Sequence, residues 1–274
     1  MRRLWIVLAL VLVLGTSGLA QAGAPDTSGY RLVLDEGFTG LPLRSAAQPK
    51  GKWDTAFADG LRTLPSNGEA ELYVDPDYMD LGLNPFSAGP GGLTITARPT
   101  PAELLGRLGD HAYVSGLLTS LHSFSMTYGY VELRARMPAG KGLWPAFWLL
   151  PVSRIWPPEI DVFEVLGDHP DILHMAVHSR AAGDVRFKAQ VADLSKGEHD
   201  FGLLWGRSWI VWYLDGAEMA RTPTPADMHQ PMYLLLDLAV GGSWPGLPDA
   251  ATHFPAEFKV ARLRAYATPE TVGE

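Results

Sequence analysis

Pro158-Glu159-Ile160-Asp161-Val162-Phe163-Glu164-Val165-Leu166 has the composition of a β-strand and the charge of an acidic cluster. Ile, Val and Phe between the acids suit a pleated, half-buried surface. Successive side chains of a strand point to opposite faces, so Glu159 and Asp161 share one face. Regular alternation would send Glu164 to the other face, into a layer where a lone carboxylate is costly. One extra residue, a β-bulge near Val162 or Phe163, returns Glu164 to the face of Glu159 and turns both spacers inward. Like charges side by side on a strand repel, so the cluster works against the fold and points to chemistry.

Outward from this run the chain reads as short strands. Residues 143–150 precede it and are apolar on both faces, as in a central strand covered on both sides. Further strands are expected at 30–34, 70–74, 92–97, 115–120, 128–137, 172–179, 184–191, 198–204, 208–214, 232–240 and 257–266. The pair at 198–204 and 208–214 reads as a hairpin, ending in the turn Asp215-Gly216. Residues 40–70 are rich in Gly, Pro and Ser and read as long surface loops, with Trp53 and Phe57 as anchors; 75–92 is a second loop, and 99–112 holds a short helical turn. Asn67-Gly68 fits a tight turn. Roughly a dozen strands with hardly any helical periodicity argue for a β-sandwich or barrel.

Composition narrows the partners. The chain has 274 residues, of which 47% are hydrophobic, enough for a sizeable core. Its formal net charge of −8 argues against nucleic acid or an anionic membrane as the main partner. With no Cys, neither a disulfide framework nor a thiolate zinc site can form. Nine Trp and nine Tyr exceed what a core of this size demands; each is either packing or a platform for a sugar face. Met1-Arg2-Arg3, the apolar residues 4–14 and Ala20-Gln21-Ala22 form the pattern of a cleavable signal peptide over residues 1–22. Residues 23–274 are then one exported domain, secreted or periplasmic, with no membrane anchor after cleavage and no internal repeat. A monomer is expected.

Two carboxyls flanking a glycosidic bond are the equipment of glycoside hydrolysis. Glu159 and Glu164 lie roughly 13 Å apart along a bulged strand, and inclined side chains close most of that gap. A retaining enzyme holds the pair about 5–5.5 Å apart and an inverting one about 6.5–9.5 Å; spacing alone leaves both open. Asp161 lies between them, and three such acids titrate together, keeping one protonated near neutrality. A calcium site and a solvated acidic edge compete with this reading. The acidic run has no Gly until Gly167, which counts against calcium. His174 and His178 are four residues apart, too far on a strand to share a metal. His178 either faces the acids or is structural.

The run Glu159-Ile160-Asp161-Val162-Phe163-Glu164 resembles the E-x-D-x-x-E signature of glycoside hydrolase family 16, in its laminarinase-like branch. Tyr128-Gly129-Tyr130-Val131-Glu132-Leu133-Arg134-Ala135-Arg136, Gly142-Leu143-Trp144-Pro145-Ala146-Phe147-Trp148, Trp209-Ile210-Val211-Trp212-Tyr213-Leu214-Asp215-Gly216 and the block 233–246 are similar to other parts of that branch. The resemblance implies an all-β jelly-roll sandwich, concanavalin A-like, of two curved antiparallel sheets with a concave cleft. It implies Glu159 as nucleophile, Asp161 as its helper and Glu164 as acid/base. It places Trp144, Trp148, Trp244, His178 and Asn67 along the substrate groove.

The implied activity is endo-cleavage of β-1,3-glucan or mixed β-1,3/1,4-glucan, with retention. A hydrolase or transglycosylase acting on an agarose- or carrageenan-like polysaccharide, or a glucan-binding protein without catalysis, are the competing readings. Two positions depart from the branch. Asp237 stands where Asn is usual, and Ala261 replaces an Asp that often helps bind a structural calcium. No cofactor is expected, and calcium is doubtful.

Overall fold

Alternating apolar residues build two sheets that face each other. The structure is a computed structural model and describes residues 25–268; the leader expected at 1–22 lies outside them. The first strands are β1 (Arg31–Glu36), β2 (Glu71–Tyr73), β3 (Phe86–Gly89), β4 (Gly92–Pro99), β5 (Tyr113–Ser115), β6 (Leu117–Thr119), β7 (Ser125–Met126) and β8 (Gly129–Arg136). They are followed by β9 (Leu143–Pro151), β10 (Glu159–Glu164), β11 (Ile172–His178), β12 (Val185–Gln190), β13 (His199–Trp205), β14 (Trp209–Leu214), β15 (Ala217–Pro223), β16 (Met232–Val240) and β17 (Ala256–Ala267). One sheet runs β12-β11-β10-β9-β16-β6, with β7 beside β16; the acidic strand β10 lies within it. The second runs β15-β14-β13-β8-β17-β4-β5-β2, with β1 on β17 and β3 on β4. Pairing is antiparallel throughout except between β2 and β5.

The expected sandwich is the fold observed. Phe163 of β10 crosses the interface to meet Phe201 of β13, with ring centroids 4.4 Å apart, and Phe258 of β17 at 6.2 Å. β16 is buried along its whole length, and its parity divides the work. Met232, Leu234, Leu236, Leu238 and Val240 enter the core between the sheets. Tyr233 and Leu235 face outward into a second apolar cluster with Phe57, Tyr73 and Trp148. That cluster forms because the loop anchored by Phe57 folds over the outer face of the first sheet. Trp53, the other expected anchor, is fully buried against Phe38.

The bulge lies where the acid spacing requires it. Asp161 is paired with Ala176 of β11 and Glu164 with His174, so three steps on β10 match two on β11. The same slip occurs against β9, between Asp161 and Phe163. Val162 and Phe163 are both buried in the core as a result. The bulge has a support from the other sheet: the buried indole of Trp212 on β14 donates to the Asp161 carbonyl at 2.8 Å. A carbonyl released from ladder pairing would otherwise be an unsatisfied buried acceptor.

Several strands differ from expectation, among them the short β7, which lies between two expected strands and pairs with β16. Residues 86–89 lie in a stretch read as loop, yet pair with β4 as β3. β15 continues past Asp215-Gly216 as an edge strand whose half-exposed residues carry little alternation. The segment expected at 115–120 is divided at Gly116, where a Cβ would stand 2.5 Å from the Phe86 ring. The short helical turn within 99–112 is a 3-10 helix over Ala102–Leu108. Among the described residues no helix is long and apolar enough to cross a membrane.

Candidate active site

Strand parity collects one set of side chains on the outer face of the first sheet. β9 presents Trp144, Ala146 and Trp148, β10 presents Glu159, Asp161 and Glu164, β11 presents His174 and His178, and β16 presents Asp237. Loops wall this floor into a cleft of about 1160 Å³. At one end stand Trp244, with Trp144 and His174 edge-on to it at 5.2 and 4.8 Å between centroids. Gly142, just before β9, accepts from the Gly241 N–H at 2.7 Å and holds this end to the 241–246 loop. A side chain at Gly142 would meet Pro248 N at 2.4 Å, and its φ of +77° is one only glycine adopts readily. At the other end Trp156 is 60% exposed, and its indole N–H donates to Glu159 Oε2.

The acids are held by donors as well as by each other. The Trp144 indole N–H donates to Glu164 Oε1 at 3.1 Å. His178 Nε2 lies 3.2 Å from Asp161 Oδ2, and its Nδ1 3.1 Å from Asp184 Oδ1. Burial, and then the charge of Glu159, pushes the Glu164 carboxyl up to about 7. Burial and the neighbouring Asp161 push Glu159 well above the ordinary carboxylate range. Asp161 is raised by burial and by Glu164, while His178 draws it back. The contact with Asp161 in turn holds the His178 imidazole protonated up to about 9. Burial and neighbouring carboxylates raise both Glu159 and Asp161, so the two titrate as a pair that shares its protons.

Glu159, Asp161 and His178 also offer atoms within 4.8 Å of one another, a spacing that suits a cation. The contact with Asp161 that keeps the His178 ring protonated also suits the trio to proton handling. On β17, Ala261 offers no side-chain oxygen to the calcium that the resemblance raised.

All eight residues expected at the site line this one cleft. They differ in what they present. Trp244 is 43% exposed and Trp144 partly so, whereas Trp148 is only 8% exposed and gives its indole N–H to Asp237 Oδ1 at 2.7 Å. The Asn67 amide donates to Glu69 Oε1 at 2.9 Å. Several cleft residues escaped the sequence reading, among them Trp156, Glu69, Asp184 and His174 as a wall for Trp244. Trp156 alone had a signal, a Trp-Pro-Pro run three residues ahead of Glu159.

The family model described as glycosyl hydrolases family 16 matches residues 84–260. An endo-1,3-1,4-beta-glycanase, ExsH, of Rhizobium meliloti (strain 1021) is 42% identical over 88% of this chain, which spans about half (53%) of that relative's length. A beta-glucanase of Rhodothermus marinus is 35% identical over 97% of this chain and 94% of its own. The X-ray structure of the endo-beta-1,3-glucanase from Pyrococcus furiosus superposes with a TM-score of 0.74 at 30% identity, covering 91% of this chain and 98% of that one.

Proposed function

This chain belongs to glycosyl hydrolases family 16, and on that premise we propose that it is an endo-acting glycoside hydrolase that cleaves β-1,3- or mixed β-1,3/1,4-glucan with retention of configuration. The observation that carries the reading is the bulged strand β10, which aims Glu159, Asp161 and Glu164 into one cleft. A glucan lies along the floor between the Trp156 and Trp244 ends, its sugar faces against the exposed indoles.

Each acid has a role set by its surroundings. Asp161 takes the shared proton and leaves Glu159 anionic, with the Trp156 N–H and its neighbour's O–H aligning it on the anomeric carbon. Glu164, neutral up to about 7, gives its proton to the departing glycosidic oxygen. A covalent glycosyl-enzyme forms on Glu159. Glu164, now ionised, then deprotonates the water that releases it, and configuration is retained over the two displacements. The test is reducing-sugar release from laminarin, lichenan, agarose and carrageenan, with the anomer first formed followed by proton NMR. Release of the β-anomer from laminarin or lichenan is expected; α-anomer, or no turnover on any glucan, would overturn the reading.

The same reading gives a pH dependence. Turnover needs Glu164 protonated, so kcat is expected to fall as pH rises past about 7. Stability moves the same way. A carboxyl raised from its ordinary value of 4.5 to about 7 binds more protons folded than unfolded across that interval, so its contribution is lost as pH rises through it. Glu164→Gln is therefore expected to raise Tm at pH 8 and to leave it nearly unchanged at pH 4, where the carboxyl is neutral in both states. Calorimetry at the two values checks this; an equal shift at both would count against a strained carboxyl.

The N-terminal pattern of Met1-Arg2-Arg3, apolar 4–14 and Ala20-Gln21-Ala22 supports export across a membrane, with the mature chain acting on polysaccharide outside the cytoplasm. Mass spectrometry of the exported protein tests the cleavage expected after Ala22.

A further inference from the structure

Asp237 is 5% exposed and carries no cation partner among the described residues, yet it lines the cleft. It lies in a register row with the acid: Glu164 of β10 pairs with Ala146 of β9, and Ala146 pairs with Asp237 of β16. Two strand spacings of about 4.8 Å separate Glu164 from Asp237, and only the Ala146 methyl lies between them. A row of two carboxyls with a methyl in the middle is shaped for a polar group to sit over the alanine.

The two oxygens of Asp237 are each engaged once. The Trp148 N–H donates to Oδ1 at 2.7 Å and the Tyr73 O–H donates to Oδ2 at 3.2 Å. A carboxyl oxygen has two acceptor sites, and a protonated carboxyl has one O–H to give. What faces it is acidic or neutral. Tyr73 and Glu71 come from β2, Glu69 from the loop before it, and Glu159 and Glu164 from β10; β9 and β6 bring Ala146, Trp148 and Leu117, none of which titrates.

Resting on the glucanase reading, we propose that Asp237 is a substrate-binding residue that gives its carboxyl O–H to a hydroxyl of the glucose unit seated over Ala146, beside Glu164. Its surroundings keep that proton in place. Burial, and then the charge of Glu69, pushes Asp237 up to about 8, against the pull of the Trp148 and Tyr73 donors. The position explains the departure from the branch resembled in sequence, where Asn is usual. A neutral carboxylic acid and an amide both offer a carbonyl acceptor and a donor in nearly the same volume. Asp adds one property that Asn lacks: the donor is lost when the group ionises, leaving a bare charge against an unpaired sugar hydroxyl.

The test measures binding of laminaritetraose and of a mixed-linkage glucotetraose by calorimetry between pH 6 and 9.5. Glu159→Gln serves as the parent, so that hydrolysis does not interfere. In the parent, affinity is expected to fall about tenfold or more across that interval. Adding Asp237→Asn is expected to shrink the fall to the residue left by the other cleft groups, in whichever tetrasaccharide binds. An unchanged fall after Asp237→Asn, or a parent whose affinity does not change with pH, would overturn the proposal while the glucanase reading stands. Failure of both tetrasaccharides to bind at any pH would overturn the glucanase reading instead. If Asp237 only propped Trp148 and Tyr73, the Asn variant would shift Tm and leave the slope of affinity against pH as it was.

Discussion

Glu159→Gln is expected to lower kcat on the best glucan substrate by on the order of 10⁴-fold or more, the scale of loss when a covalent nucleophile is deleted. The amide keeps the size of the side chain and still accepts from the Trp156 N–H, so folding and glucan affinity should survive. What it cannot do is form the glycosyl ester. The companion measurement is covalent trapping. A 2-deoxy-2-fluoro-glucosyl donor with a good leaving group should label wild type, and peptide mass mapping should find the added sugar on Glu159. Turnover retained by Glu159→Gln, or a label on Asp161 or Glu164, would sink the assignment. Glu164→Gln should differ in kind: its loss of about 10²–10⁴-fold should shrink sharply on a substrate whose leaving group needs no proton.

Phe163→Ala is expected to cost about 3–5 kcal/mol of stability, the range for deleting a large buried ring, and so to lower Tm by roughly 10 °C or more. Phe163 is fully buried and meets Phe147, Phe201 and Phe258, so the cavity opens where both sheets meet. The effect should not end with stability. The bulge keeps its geometry because Val162 and Phe163 are both drawn into the core while the acids on either side face the cleft. A cavity beneath it loosens the relation of Glu159 to Glu164. A drop in kcat at temperatures where the variant is fully folded, with KM little changed, is the expected signature. Denaturant unfolding and kinetics at 15 °C measure the two effects separately; a Tm within two or three degrees of wild type would contradict this account of the bulge.

The bulge was legible because five residues separate Glu159 from Glu164, and parity admits no regular strand that keeps both acids on one face. Core strands such as β9 and β16 announced themselves by being apolar along nearly their whole length. β15 did not, because an edge strand half in water needs no alternation, and β3 did not, because Ser87, Ala88 and Gly89 carry almost no pattern. The three acids could be singled out from spacing and resemblance. Their partners could not: His178 reaches Asp161 only through the pairing of β10 with β11, and Tyr73 reaches Asp237 from far along the chain. Such contacts belong to the order of strands in the sheet, which local pattern does not encode.

β17 occupies the middle of its sheet, with β8 along one edge and β4 and then β1 along the other. That order has a consequence for biogenesis. While the chain is being made, β4 and β8 have no common neighbour, and the inner aromatic layer lacks Phe258. Contacts of such sequence separation close late, and the waiting strands expose edges that other chains can pair with. Folding is thus deferred until the stretch ending at Ala267 has emerged, when one strand joins both halves of the sheet.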